Sequence, residues 1–373
     1  MKKTLLKQAD IWGAGKNDIL ITDGIISKID SVIEEDDAFV VNMNGKIILP
    51  GFFNAHVHLY GVNGPLSDDN IKAFVQGGCT TVRDMGMTNE GSFTTYTKWL
   101  SQKRSPEFPD IITSGKFICS KNSYGAVHPS GAQIGYVINP TPDAAQSAVD
   151  DMINCGADQV KTGLDYGMDI NNPLDYLPED VFKAICNQAK VRGVHSCAHI
   201  TKRDNFVKAA MWGLTESGHT PTNNLTDEDI LIVKESGMAF NTTASIFDQV
   251  SKMTGEDIMG AVISNINKLY KAGIPMSVGT DYMHEQAPEE TAGIPIHELK
   301  LLIKAGLSVN DVIKACTIDT ANIIGVGEKK GSIEVGKDAD IIATDLSIDS
   351  SFKAFEPGHI VFVMHNGEIV KNK

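Results

Sequence analysis

The chain has 373 residues, with 33 Lys and Arg against 47 Asp and Glu, for a formal charge of -14. Hydrophobic residues at 42% and charged residues at 21% are ordinary for a globular protein and exclude a disordered tail or a fibre. The acidic balance argues against a nucleic-acid partner, because phosphate contacts need a basic face, and no run of about 18 apolar residues offers a membrane span.

The first ten residues, Met-Lys-Lys-Thr-Leu-Leu-Lys-Gln-Ala-Asp, open like a signal peptide, but no apolar stretch of about 7–15 residues follows. Six scattered cysteines, none in a Cys-x-x-Cys pair, read as reduced thiols. A cytoplasmic location is expected. Residues 19–22 and 25–29 flank Asp23-Gly24, a hairpin signal, and the whole segment 1–50 reads as short strands. From residue 52 onward apolar runs of strand length recur at 52–56, 80–83, 111–114, 158–161, 194–198, 214–216, 238–241 and 275–279. Helix patterns lie between most of them. Thr141-Pro142-Asp143 opens one that Gly156 ends, Pro178 opens another that Gly193 stops, and Thr226 caps a third that ends at Gly237. The C-terminal segment returns to strands at 339–344, 360–365 and 368–371, with Asn366-Gly367 as the last turn. The pattern predicts a (β/α)8 TIM barrel over 51–333 and a small β-sandwich domain built from 1–50 and 334–373. A doubly wound open sheet competes, but no Gly-x-Gly-x-x-Gly follows the first strand.

Ligand-type residues gather at the ends of these strands. His56-Val57-His58 places two imidazoles on one face of a strand, since side chains at i and i+2 point the same way. Lys161 ends the run at 157–161, His199 the run at 194–199 and His219 the run at 214–219, while Asp281 follows Val278-Gly279-Thr280. Barrel enzymes build their sites at this end of the strands, and imidazoles with carboxylates are the usual ligands of zinc and related ions.

These positions resemble the amidohydrolase superfamily, specifically its imidazolonepropionase-like and prolidase-like (Xaa-dipeptidase) branch. The resemblance runs from Leu-Pro-Gly-Phe-Phe-Asn-Ala-His-Val-His at 49–58 through Gly-Cys-Thr-Thr-Val-Arg-Asp at 78–84 and Gly-Ala-Asp-Gln-Val-Lys at 156–161. It continues through His199, His219 and Val-Gly-Thr-Asp at 278–281, and closes with Gly-Ser-Ile-Glu-Val-Gly-Lys-Asp-Ala-Asp at 331–340. It implies two divalent ions, zinc or alternatively manganese. His56, His58 and Asp281 would hold one ion and His199 and His219 the other, with Lys161 bridging them as N6-carboxylysine. It implies further that a water between the ions is the nucleophile, with Asp281 as its base and proton shuttle. One departure stands out. Relatives commonly carry Glu directly before the histidine matched by His219, whereas this chain reads Glu216-Ser217-Gly218-His219. The end of the sixth strand is therefore expected to be re-registered, and a single-ion site is the fallback.

The other histidines carry weaker expectations. His128 lies in the loop Tyr-Gly-Ala-Val-His-Pro-Ser-Gly at 124–131, where dipeptidase relatives have a histidine loop facing substrate. It is the candidate recognition residue, with Tyr124 a weaker one. His195 shares a strand face with His199 and is either a supporting or a core group. His284 and His297 follow the last barrel strand, and His359 and His365 are expected to play no part. Arg83 and Asp84 are expected to form a structural ion pair. The expected function is hydrolysis of an amide bond in a small dipeptide or N-acyl amino acid, with self-association open. A cyclic-amide hydrolase is the alternative. A deaminase is a further one, disfavoured because deaminase relatives usually lack the bridging lysine. A non-catalytic scaffold is disfavoured by the filled ligand set.

Overall fold

The computed structural model describes residues 1–61, 64–86, 105–126, 135–167, 173–282 and 292–373. Eight short parallel strands succeed one another around a ring in chain order. They are β1 (Phe52–Val57), β2 (Cys79–Asp84), β3 (Asp110–Thr113), β4 (Val160–Gly163), β5 (Ser196–His199), β6 (Glu216–Ser217), β7 (Ala239–Asn241) and β8 (Met276–Ser277). Ladder pairing joins β1 to β2 to β3, and β4 through to β8. Two further bonds close the ring: Asp158 N–H donates to Thr113 O and Ala55 N–H to Val278 O, each at 2.8 Å. The architecture is the predicted TIM barrel with a sandwich built from both chain ends.

Each of the eight expected barrel strands is present, with β4, β5 and β6 beginning two residues later than the sequence predicts. Four described strands are not foreseen in the sequence: Tyr60–Gly61 and Gly64–Pro65, which pair with each other, Phe117–Ser120, which pairs with β4 through Phe117 opposite Lys161, and Gly135–Ile138, which pairs with Phe117–Ser120. The helices begin and end at their caps. Thr141 Oγ1 accepts from Ala144 N–H ahead of Pro142–Asn154. Thr226 and Asp229 form a capping box ahead of Asp227–Ser236, which Gly237 ends.

Helices and barrel share an apolar layer that includes Phe182, Ile185, Phe206, Phe240, Ile266 and Leu302. Polar groups reach the barrel interior. Arg83 and Glu216 are both fully buried there; Arg83 Nη2 donates to Glu216 at 2.8 Å, and Arg83 Nε donates to Ala55 O at 2.7 Å. Arg83 therefore pairs with Glu216, not with the expected Asp84. Neighbours on a strand point to opposite faces, and the Asp84 carboxylate instead accepts from Leu59 N–H at 2.9 Å.

The two chain ends form one eight-stranded mixed sheet, with Ile47–Pro50 antiparallel to Ile341–Thr344. It encloses Leu6, Ile19, Ile48, Ile341, Phe362 and Met364. Asp23-Gly24 and Asn366-Gly367 turn two of its hairpins, and all four residues have positive φ, which suits the twist of the flanking strands.

A buried polar cluster fastens this sheet to the start of β3. Lys330 Nζ lies 2.6 Å from Asp110, 2.6 Å from Asp340 and 3.2 Å from Asp338. His365 Nδ1 donates to Pro106 O at 3.0 Å, and its Nε2 lies 3.5 Å from Asp110. The expectation that His365 plays no part is corrected for the fold, since it is buried at this seam. Asp110, Asp340 and His365 have the spacing of a cation site, and the Lys330 ammonium supplies that cation.

Burial works against a charge on His365, but Asp340 and Asp110 outweigh it and raise its pKa. A folded-state pKa above the unfolded value of about 6.5 stabilises fully below that value and stops stabilising as pH rises through the raised one. His365→Gln should therefore lower stability most near about pH 6, by roughly 1–3 kcal/mol. The gap to the unsubstituted protein should narrow in alkaline buffer, as read by urea unfolding at a series of pH values. A gap independent of pH would show that His365 acts through packing alone.

Candidate metal centre

At the C-terminal ends of the strands the predicted ligands converge. His56 lies in β1 and His58 just beyond it, with ring centroids 5.3 Å apart. Gly279 admits His56 to this position, since a Cβ there would stand 2.5 Å from His56 N and 2.6 Å from Asn241 Oδ1. Asp281 lies just past β8, and its Oδ1 is 3.3 Å from His56 Nε2 and 2.9 Å from His58 Nε2. The Asp281 backbone has φ 61°, a left-handed conformation costly for a non-glycine residue, and its N–H donates to His56 O at 2.9 Å. His199 ends β5 and His219 lies just past β6, with His199 Nδ1 and His219 Nε2 2.9 Å apart. The His56 and His219 rings are 4.8 Å apart. Among the described residues, donor atoms of His56, His219 and Asp281 lie within 4.8 Å of one another, a spacing that can hold one ion.

Each ring is oriented through its other nitrogen. His56 Nδ1 donates to Gly218 O at 2.9 Å and His58 Nδ1 to Gly86 O at 3.1 Å. A carbonyl only accepts, so both Nδ1 atoms carry a proton and both Nε2 atoms are turned to the centre. His219 Nδ1 faces Thr243 Oγ1 at 2.9 Å. Thr243 was not foreseen, and its only sequence signal is the polar run Asn241-Thr242-Thr243 after a strand. The ring of Tyr124 stacks on His199 at 3.7 Å and 6°, so the weaker loop candidate reaches the centre.

Burial pushes the His219 pKa down to about 3, and burial together with the charge of Lys161 holds His56 well below the ordinary histidine value. Both are therefore neutral at pH 7, the form that binds metal. Burial opposes the charge of Asp281, but His56 and His58 hold its pKa well below the ordinary carboxylate range. Lys161 is the second residue of β4, not its exit, because Thr162 and Gly163 continue the strand. Its Nζ is buried without a hydrogen-bond partner, and burial lowers its pKa. An orphaned amine facing imidazole and carboxylate donors fits a site for cations once that amine is converted to an anion.

Ser217 and Gly218 separate Glu216 from His219 at the end of β6. Glu216 turns to Arg83 and Ser277 inside the barrel, and no carboxylate supports His219 among the described residues. His195 stands apart from the ligands, close enough to Glu216 and Arg83 to feel their charges, with Nδ1 buried and unpartnered. His297 pairs with Asp248 at 2.8 Å and His359 with Asp345 at 2.9 Å. His128 and His284 lie outside the described residues.

Over 376 residues the chain is 23% identical to a dihydroorotase of Clostridium botulinum (strain Eklund 17B / Type B), covering 92% of this chain and 89% of that one. It is 21% identical over 397 residues to an imidazolonepropionase of Alkaliphilus metalliredigens (strain QYMF), covering 98% and 91%. A solved Xaa-Pro dipeptidase with methionine bound in its active site superposes with a TM-score of 0.82 at 20% identity, over 100% of both chains. The Amidohydrolase family pattern matches residues 47–370, the whole barrel with the strand Ile47–Pro50 before it and most of the C-terminal part of the sandwich. The chain belongs to the amidohydrolase family.

Proposed function

We propose that this metal-dependent hydrolase of carbon–nitrogen bonds cleaves the amide of a dipeptide or an N-acyl amino acid at a centre of two divalent ions. The observation that carries the reading is the buried, unpartnered Lys161 Nζ beside five imidazole and carboxylate ligands. A sealed, unpaired ammonium there would cost several kcal/mol, whereas its carbamate is an anion with two oxygens. His56, His58 and Asp281 would hold one ion, His199 and His219 the other, and N6-carboxylysine at Lys161 would join them. Zinc suits this ligand set, with manganese second. When bound, the ions supply activation of water and polarisation of the scissile carbonyl.

The protein's own contribution is orientation and proton transfer. Asp281 is held ionised, so its carboxylate accepts a proton from the attacking water and passes it to the leaving amine. The carbonyls of Gly218 and Gly86 keep His56 and His58 turned with their Nε2 atoms inward. His128 is the group assigned to recognising a free substrate carboxylate. The Xaa-Pro dipeptidase likeness supports the dipeptide reading. The names of the two full-length relatives favour cyclic amides as the second reading.

Protein purified without chelator should contain about two equivalents of divalent metal by elemental analysis. A reproducible single equivalent, after loading with metal and bicarbonate, would exclude the bridged centre. Asp281→Asn should lower turnover by at least about 10²-fold, the usual contribution of a positioned base, while metal content falls less. Near-normal turnover in that variant would move the base elsewhere.

A screen of dipeptides, N-acyl amino acids and cyclic amides tests the substrate class. On the preferred acids, His128→Ala should lose much more rate than on the matching amides, because an unpaired charge in a dry site is costly. Equal losses would assign His128 to chemistry or folding, and turnover of cyclic amides alone would select the second reading.

A further inference from the structure

We propose that Gly218 is a positioning residue whose missing side chain leaves the space in which the Lys161 head becomes carboxylated. The inference rests on the lysine-bridged reading of the metal centre. Two observations meet at this one residue. A Cβ on Gly218 would lie 2.7 Å from Lys161 Nζ and 2.9 Å from Ala198 O, both closer than real Cβ contacts allow. Its carbonyl, meanwhile, accepts the Nδ1–H of His56 at 2.9 Å, and its N–H donates to Ala198 O at 2.7 Å. The peptide is pinned on both sides and cannot retreat from the lysine without releasing His56 or the end of β5. The lysine is equally confined, with 2% of its surface exposed and Nζ making no hydrogen bond.

Carboxylation adds three heavy atoms at Nζ. The nitrogen lone pair attacks the carbon of carbon dioxide, the new N–C bond forms as one C=O π bond opens, and an N–H proton leaves to solvent. The product is a carbamate with one negative charge, and no redox partner is needed. Space beside Nζ is therefore a requirement of the modification itself. The spacing Glu216-Ser217-Gly218-His219 serves it by placing a glycine, rather than a bulkier residue, directly before the ligand His219.

The test uses the full chain exposed to carbon-13-labelled bicarbonate. The unsubstituted protein should show a carbamate carbon resonance and about two equivalents of metal. Gly218→Ala should lose the resonance and about one of the two equivalents. An Ala variant that keeps both would overturn the proposal. An unsubstituted protein with neither a resonance nor a second ion would overturn the bridged reading itself, a result distinguishable from failure of Gly218 alone.

A double-mutant cycle with Lys161→Ala keeps the test open should Gly218→Ala fold poorly. Once the lysine head is gone, the alanine should lower the melting temperature much less than it does beside the intact lysine. Equal losses in both backgrounds would assign the glycine to its contact with Ala198 O and overturn the proposal.

Discussion

The ion pair between Arg83 and Glu216 is the constraint on which the barrel depends. TIM barrels usually fill their interior with layers of branched apolar side chains, and here a full charge pair occupies that space with no exposure on either side chain. The arginine also donates to the carbonyl of Ala55 in β1 and to Gln159 just ahead of β4, while Ser277 of β8 donates to the glutamate. One pair thus ties β1, β2, β6 and β8 together. Removing either partner would leave a buried charge unmatched, a loss of about 3–5 kcal/mol in comparable pairs. Buried salt bridges are poor sources of net stability but demanding of geometry. This one fixes the register of a two-residue strand, β6, that ladder hydrogen bonds alone would hold weakly.

The register of β6 in turn sets the position of His219. With Glu216 committed inward, Ser217 and Gly218 carry the chain up to that histidine, and Ser217 Oγ donates to His219 O at 2.8 Å. Beside His219 stands the hydroxyl of Thr243, itself held at φ 40°. Thr243 and Asp281 both carry positive φ at the ends of barrel strands and touch the site, as expected where strain is concentrated by function.

The sequence made several features legible because their causes are local. Strand parity brought His56 and His58 together, and Thr141, Pro142, Thr226 and Gly237 marked helix ends through capping chemistry. Contacts between distant segments were not legible. Nothing near Arg83 in sequence points to Glu216, 133 residues away, and nothing near His365 points to Pro106, 259 residues away. The supporting groups at Gly218 and Gly86 are backbone carbonyls, which every residue possesses and no sequence can single out. Four-residue strands such as Phe117–Ser120 acquire their identity from the neighbour they pair with, not from a pattern of their own. Selectivity belongs to loops, whose composition does not encode a shape.

The seam between sheet and barrel has a consequence for the chemistry of metals in this protein. The cluster of Asp110, Asp340 and His365 carries its own counter-ion, covalently attached through the side chain of Lys330. An ammonium tethered by the chain cannot be chelated, exchanged or diluted away. The carboxylates at this joint are therefore balanced from within the chain, with no call on an inorganic cation.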